Sequence, residues 1–157
     1  MANYGVEDFV RDYDVSRETC ARLERFAELL KYWNRRVNLV SKDSLNDIWR
    51  RHMADSAQLR DVIPAYEGAL IDVGSGAGFP GMVLAIMGLA DIHLIEASAK
   101  KCAFLREAAR ITGCQATIHN FRLGDHAASL AALPEAAIIT ARAVSPLAKL
   151  LDIVFPI

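Results

Sequence analysis

The chain has 157 residues, of which 53% are hydrophobic and 24% charged, and its net charge is −1. Such a composition fits one globular domain with a sizeable core and excludes disordered, collagenous and polybasic chains. No uncharged apolar run reaches the ~20 residues of a membrane helix, and the early acids Glu7 and Asp8 replace the apolar centre of a secretory signal.

Cys20, Cys102 and Cys114 are far apart and form no C-x-x-C pair. They read as reduced thiols of a cytoplasmic protein, and no metal site is expected. The net charge hides an asymmetry. Lys31, Arg35, Arg36, Lys42, Arg50, Arg51 and Arg60 face only Asp43, Asp47 and Asp55, a local excess of +4. With Trp33 and Trp49 nearby, this stretch suits a polyanion such as RNA, or else is an ordinary solvated helix face.

Residues 1–14 are polar and expected to be loosely ordered. Ser16 is a candidate cap for a helix reaching Asn34. Its apolar stripe is Leu23, Phe26, Ala27, Leu30, Trp33 and Val37. Ser44 is expected to cap a second helix running to Arg60, with Leu45, Ile48, Trp49, His52 and Met53 on its inner side. Pro64 and Gly68 then punctuate the chain. Beyond them strands alternate with helices. Strands are expected at 69–73, 91–96, 115–119 and 136–141. Helices are expected at 80–88, from the Ser98 cap to Thr112, and at 124–132. Alternation of this kind implies an α/β domain with a parallel, Rossmann-like sheet, carrying the N-terminal helices as an extension. The boundaries are 1–66 for the extension and 67–157 for the sheet domain, effectively one domain. Four strands are fewer than the about five to seven of a doubly wound domain, so the C-terminal strands are expected to be missing.

The run ALIDVGSGAGFPG, Ala69 to Gly81, carries the chemistry. Glycines where a strand turns into a helix let a ligand touch the backbone, and the new helix directs amide donors and its positive end toward that point. Gly76 to Gly81 matches G-x-G-x-x-G, a dinucleotide signature. Asp72 with Gly74, Ser75, Gly76 and Gly78 matches instead the D-x-G-x-G-x-G turn of S-adenosylmethionine methyltransferases. Glu96, with Ala97 beside it, closes the second strand. An acid there accepts both ribose hydroxyls in either case, or caps the next helix. Asp72 favours the methyl donor, because its carboxylate can receive an ammonium group, directly or through water. Phe79 packs against the cofactor or under the turn.

Five segments then occur in order: YWNRRVNL (Tyr32 to Leu39), HMADS (His52 to Ser56), DVGSGAGFPG (Asp72 to Gly81), Glu96 with Lys100 and Lys101, and TARAVSPL (Thr140 to Leu147). Together they resemble the RsmG (GidB) family of bacterial ribosomal RNA small-subunit methyltransferases, over roughly Ala27 to Leu150. The resemblance implies a class I methyltransferase that uses S-adenosylmethionine to methylate ring nitrogen 7 of a guanine in 16S rRNA. Its partner is the RNA or the small ribosomal subunit, and the chain is expected to be a monomer. The chain departs from the family pattern at Arg122-Leu123-Gly124-Asp125 and at Ala136-Ala137. A nicotinamide-dependent oxidoreductase and a non-catalytic RNA-binding or assembly factor stand as alternatives.

A guanine N7 carries a lone pair and no proton, so transfer needs alignment more than a base. Arg142, just past the fourth strand, is placed to grip the guanine edge or a phosphate, or else forms a structural ion pair. Arg122 is a second candidate. His52 shares a helix face with Asp55 and reads as catalytic or as a packing histidine. Asn34, Asn38 and Lys100 are candidate RNA contacts, with helix capping the alternative for Asn38.

Overall fold

The computed structural model describes residues 4–123 and 133–155. At its centre is strand β1 (Ala69–Val73), buried at every position. β2 (Ile92–Ile95) pairs on one side of it, with β3 (Ala116–His119) beyond, and β4 (Ala136–Ala141) pairs on the other side. All three pairings are parallel. The chain steps outward from β1 to β3 and then crosses to the opposite side for β4. That reversal opens a crevice at the carboxyl ends of β1 and β4, where ligands of such sheets bind.

Helices α1 (Val6–Tyr13) and α2 (Arg17–Asn34) precede the sheet. Ser16 caps α2 by accepting from the Thr19 N–H at 3.0 Å. The α2 stripe is buried as its spacing predicts, with Leu23, Phe26 and Leu30 at 0% exposure. Phe26 meets Phe79 at 5.5 Å and Phe104 at 6.0 Å between ring centres. Phe104 belongs to α7 (Ala99–Thr112), capped by Ser98 and ended at Gly113. The short helix α6 (Gly81–Ile86) fills the same face of the sheet. The other face packs Ile71, Val73 and Ile95 against Leu123 and Val154.

Three expectations are corrected. Residues 6–13 form a helix whose Phe9 is fully buried, 4.8 Å from Tyr13 and 5.4 Å from Trp49 between ring centres. Val6, Phe9, Val10 and Tyr13 do keep helical spacing, but the polar residues between them mask it over so short a stretch. The cap expected at Ser44 is Ser41, whose hydroxyl accepts from the Ser44 N–H and starts α3 (Lys42–Asn46). The helix expected from Ser44 to Arg60 is broken at Asp47. It resumes as a π-helical turn at Trp49–Ala54, then as the short pieces α4 (Asp55–Ala57) and α5 (Leu59–Val62). A 3.6-residue period cannot register the wider winding. Past β4, Pro146 opens a further helix, α8 (Leu147–Val154), that the sequence reading did not place. The helix expected at 124–132 lies outside the described residues.

Gly81 shows why the glycine run is so dense. A Cβ at Gly81 stands 2.4 Å from Leu94 Cδ2 and 2.9 Å from Asp72 Cβ. This glycine brings α6 down onto β1 and β2. Helix propensity alone would make Gly81→Ala stabilising by about 1 kcal/mol. We expect the opposite sign, a loss of about 1–3 kcal/mol from overpacking, read as a lower denaturant midpoint at unchanged slope.

Candidate functional site

A cavity of about 410 Å³ opens at the carboxyl ends of the strands. Gly74, Glu96, Ala97 and Arg122 line it, four of the residues expected there. Gly74 and Gly76 hold φ of +66° and +57°, which side chains other than glycine rarely adopt. Glu96 Oε2 accepts the Gly76 N–H at 2.9 Å and Oε1 accepts the Ser98 N–H at 2.7 Å. The capping reading of Glu96 is realised, since it anchors the start of α7, and the same carboxylate also clasps the glycine turn.

The remaining predicted residues stand behind this wall. Asp72 is fully buried. Its Oδ2 accepts the Gly81 N–H at 3.3 Å and its Oδ1 accepts the Thr140 hydroxyl at 2.8 Å. The parallel register sets Thr140 opposite Asp72. The Ser75 hydroxyl donates to the Asp72 carbonyl. The N–H groups of Gly78 and Phe79 both turn back to the Ser75 carbonyl. Much of the donor capacity credited to this turn thus closes the turn on itself, and the first amide of α6 goes to Asp72. A Cβ on Gly78 meets Met82 at 2.8 Å, so that glycine also serves packing.

Burial pushes the Asp72 carboxyl up to about 6, against the hydrogen bonds from Thr140, Ser75 and Gly81, which lower it. A carboxyl whose pKa rises from 3.8 on folding binds its proton more tightly in the native state. Its ionisation costs stability: nothing at about pH 4, increasingly as pH rises through about 6, and about 3 kcal/mol above that. Asp72→Asn keeps the shape and removes the charge. We expect its Tm to exceed that of the parent by roughly 6–12 °C at pH 8 and to match it near pH 4, in thermal unfolding across that range.

A second cluster adjoins the turn. The His52 ring stacks on Phe79 with centres 4.6 Å apart and planes 14° apart. Arg142 lies over the same Phe79 ring at 5.2 Å. Its Nη2 donates to His52 Nδ1 at 2.9 Å, and its Nη1 donates to Asp55 at 3.0 Å and to the Arg51 carbonyl at 3.4 Å. Burial, then the Arg142 charge, hold the imidazole down to about 4, so it is neutral at physiological pH. Phe79 thus lies under the turn as the floor of this cluster and does not line the cavity.

The structure separates the candidate RNA contacts. Asn34 spends its side chain on the following loop: its Oδ1 accepts the N–H groups of Leu39 and Val40, and its Nδ2 donates to the Val40 carbonyl. That loop presents Asn38, which is exposed. Lys100 is exposed near the start of α7, and Arg35, Arg36, Arg50 and Arg51 are exposed along the basic stretch. Trp33 is a packing residue: its indole donates to Glu107 at 3.0 Å and its ring abuts Phe104. Sequence reasoning missed Phe121, Val144, Ser145, Lys149 and Ile153, all lining the cavity. Phe121, Val144 and Ser145 sit just past β3 or β4, a position that flags ligand contact in any parallel sheet. Nothing in the local pattern flags Lys149 or Ile153.

The sequence profile of one family, rRNA small subunit methyltransferase G (GidB), matches residues 19–157. This chain belongs to that family. As a GidB-family chain it is 50% identical over 146 residues to a Rhodospirillum rubrum protein named ribosomal RNA small subunit methyltransferase G, covering 93% of this chain and 70% of the relative. A namesake from Paramagnetospirillum magneticum is 48% identical over 152 residues, 97% of this chain and 72% of the relative. One from Rhodospirillum centenum is 47% identical over 151 residues, 96% and 68% respectively. A methyltransferase family implies a methyl donor, so the nicotinamide reading of the glycine turn is set aside. Among the described residues no helix of this GidB-family chain is long and apolar enough to cross a membrane.

Proposed function

We infer that this chain transfers the methyl group of S-adenosylmethionine to ring nitrogen 7 of a guanine in 16S rRNA. The observation that carries the reading is the cavity at the strand ends, bounded by Gly74 and by the Glu96 carboxylate, in a chain of this family.

The residues fit an adenosyl amino acid. The cavity lies in the ~300–1,000 Å³ range of small-molecule sites. A carboxylate has about four lone-pair positions, so Glu96 can keep its two amide bonds and still accept two ribose hydroxyls. Ile95, Phe121 and Leu123 offer apolar walls for a purine. Asp72 supplies negative charge beneath the turn for an ammonium group. When bound, the cofactor supplies a methyl group on a sulfonium, an electrophile at neutral pH.

The protein then has to orient the base and exclude water. Of the five N–H groups of Arg142, three are taken among the described residues, by Arg51, His52 and Asp55, which leaves Nε–H and one Nη2–H for a ligand. N7 must keep its lone pair for attack, so these two donors serve the guanine O6 or a flanking phosphate. Arg122, on the cavity wall, is placed for a phosphate. Asn38, Lys100 and the exposed arginines of the 31–60 stretch supply further RNA contacts. Residues 1–66 act as a helical extension presenting Asn38 and these arginines to RNA, and 67–157 hold the cofactor and carry Lys100. The chain acts as a cytoplasmic monomer on naked 16S rRNA or on the small subunit.

The test is transfer of labelled methyl from S-adenosylmethionine to 16S rRNA, naked and in small subunits, with the modified base mapped. Label at N7 of one guanine is expected. Cofactor binding without transfer to either RNA form points instead to the assembly-factor reading.

A further inference from the structure

His52 and Arg142 lie ninety positions apart and meet only because β4 returns beside β1, under the π-helical turn. An arginine cannot give up its proton in a protein, so Arg142 must donate and Nδ1 must accept. The imidazole proton therefore resides on Nε2. Among the described residues Nε2 itself finds no hydrogen-bond partner. Arg142 is thus, among the described residues, the only side chain hydrogen-bonded to this ring, which is 7% exposed and held flat on Phe79. A histidine that merely fills space does not need a specific tautomer, and a general base does not place its free lone pair on an arginine.

We propose that His52 is the positioning residue of Arg142: its bare Nδ1, with Asp55 beside it, locks the guanidinium so that Nε–H and the second Nη2–H face the substrate. This rests on the methyl-transfer reading above. An untethered arginine would have to lose its rotamer freedom in each turnover. The H-x-x-D-S segment then acquires a purpose. His52 and Asp55, three apart, take one guanidinium nitrogen each, and the wide turn keeps the buried ring and the exposed carboxylate on the side that β4 approaches. The charged and titratable groups around the imidazole are Arg142 from the β4 end and Asp55, Arg51 and Asp47 from its own segment.

The experiment compares His52→Asn with His52→Gln. Asparagine places its amide oxygen near the position of Nδ1, whereas glutamine reaches the position of Nε2. His52→Asn is expected to recover kcat to within about fivefold of the parent, and His52→Gln to lose 30-fold or more. Affinity for S-adenosylhomocysteine, by calorimetry, is expected to stay within threefold in both. Equal losses in the two variants, or a matching loss of cofactor affinity, overturn the proposal. A second readout needs no transfer: nitrogen NMR of His52 in the intact chain. Protonation at Nε2 alone at neutral pH supports the assignment, and a proton on Nδ1 sinks it. A parent chain that shows the Nε2 signature and moves no methyl group to RNA refutes the functional reading instead.

Discussion

Arg142→Ala is expected to lower kcat for methyl transfer by about 100- to 1,000-fold while leaving S-adenosylhomocysteine affinity within threefold. The magnitude follows from alignment: misplacing reacting groups by about 1 Å costs on the order of 10²-fold, and here no acid–base step shares the work. The side chain is one-third exposed and its Asp55 partner about half, so losing that ion pair has a small effect on stability. Thermal unfolding of the variant should shift by no more than a few degrees. Arg142→Lys should not restore activity, because an ammonium cannot make the forked contacts that Arg51, His52 and Asp55 accept. Parent-like kcat in Arg142→Ala, with an intact fold, removes the residue from the mechanism.

Glu96→Ala is expected to weaken S-adenosylhomocysteine binding by about 100-fold. Hydrogen bonds to a charged group are worth about 1.5–3 kcal/mol each, and in the proposed binding mode two ribose hydroxyls depend on this carboxylate. The substitution also strands the Gly76 and Ser98 N–H groups that Glu96 now accepts. Glu96→Gln separates the two effects: its single amide oxygen can hold one of those N–H groups but cannot also serve both hydroxyls. An intermediate loss, about tenfold, is expected. Calorimetry with the product at one pH decides it. Parent-like affinity in Glu96→Ala would show that the cofactor lies elsewhere.

The two variants divide the site by function. Glu96 belongs to the cavity wall, and its variants are expected to change cofactor affinity. Arg142 belongs to the adjoining cluster, and its variants are expected to change turnover. Asp72 lies between them under the turn, with a charge that the proposed site offers to an ammonium group and stability that the fold gives up at neutral pH.

Several features were legible along the chain because short-range physics sets them. The Ser16 and Ser98 caps, the α2 stripe, the four strands and the turn from Asp72 to Gly81 each rest on neighbours within a few residues. The family membership followed from such segments in order. What the chain could not display was anything depending on winding or pairing. The π-helical turn hid behind a pattern read at 3.6 residues per turn. The meeting of Thr140 with Asp72 depended on the β1–β4 register. That Glu96 holds Gly76 and that His52 grips Arg142 are contacts between residues 20 and 90 positions apart. Local sequence thus determined which residue types were present and on which elements, since caps, periods and turns act over a few bonds. Tertiary structure alone decided which of them face the cavity, because only the order of the strands brings the ends of β1, β2 and β4 to one place.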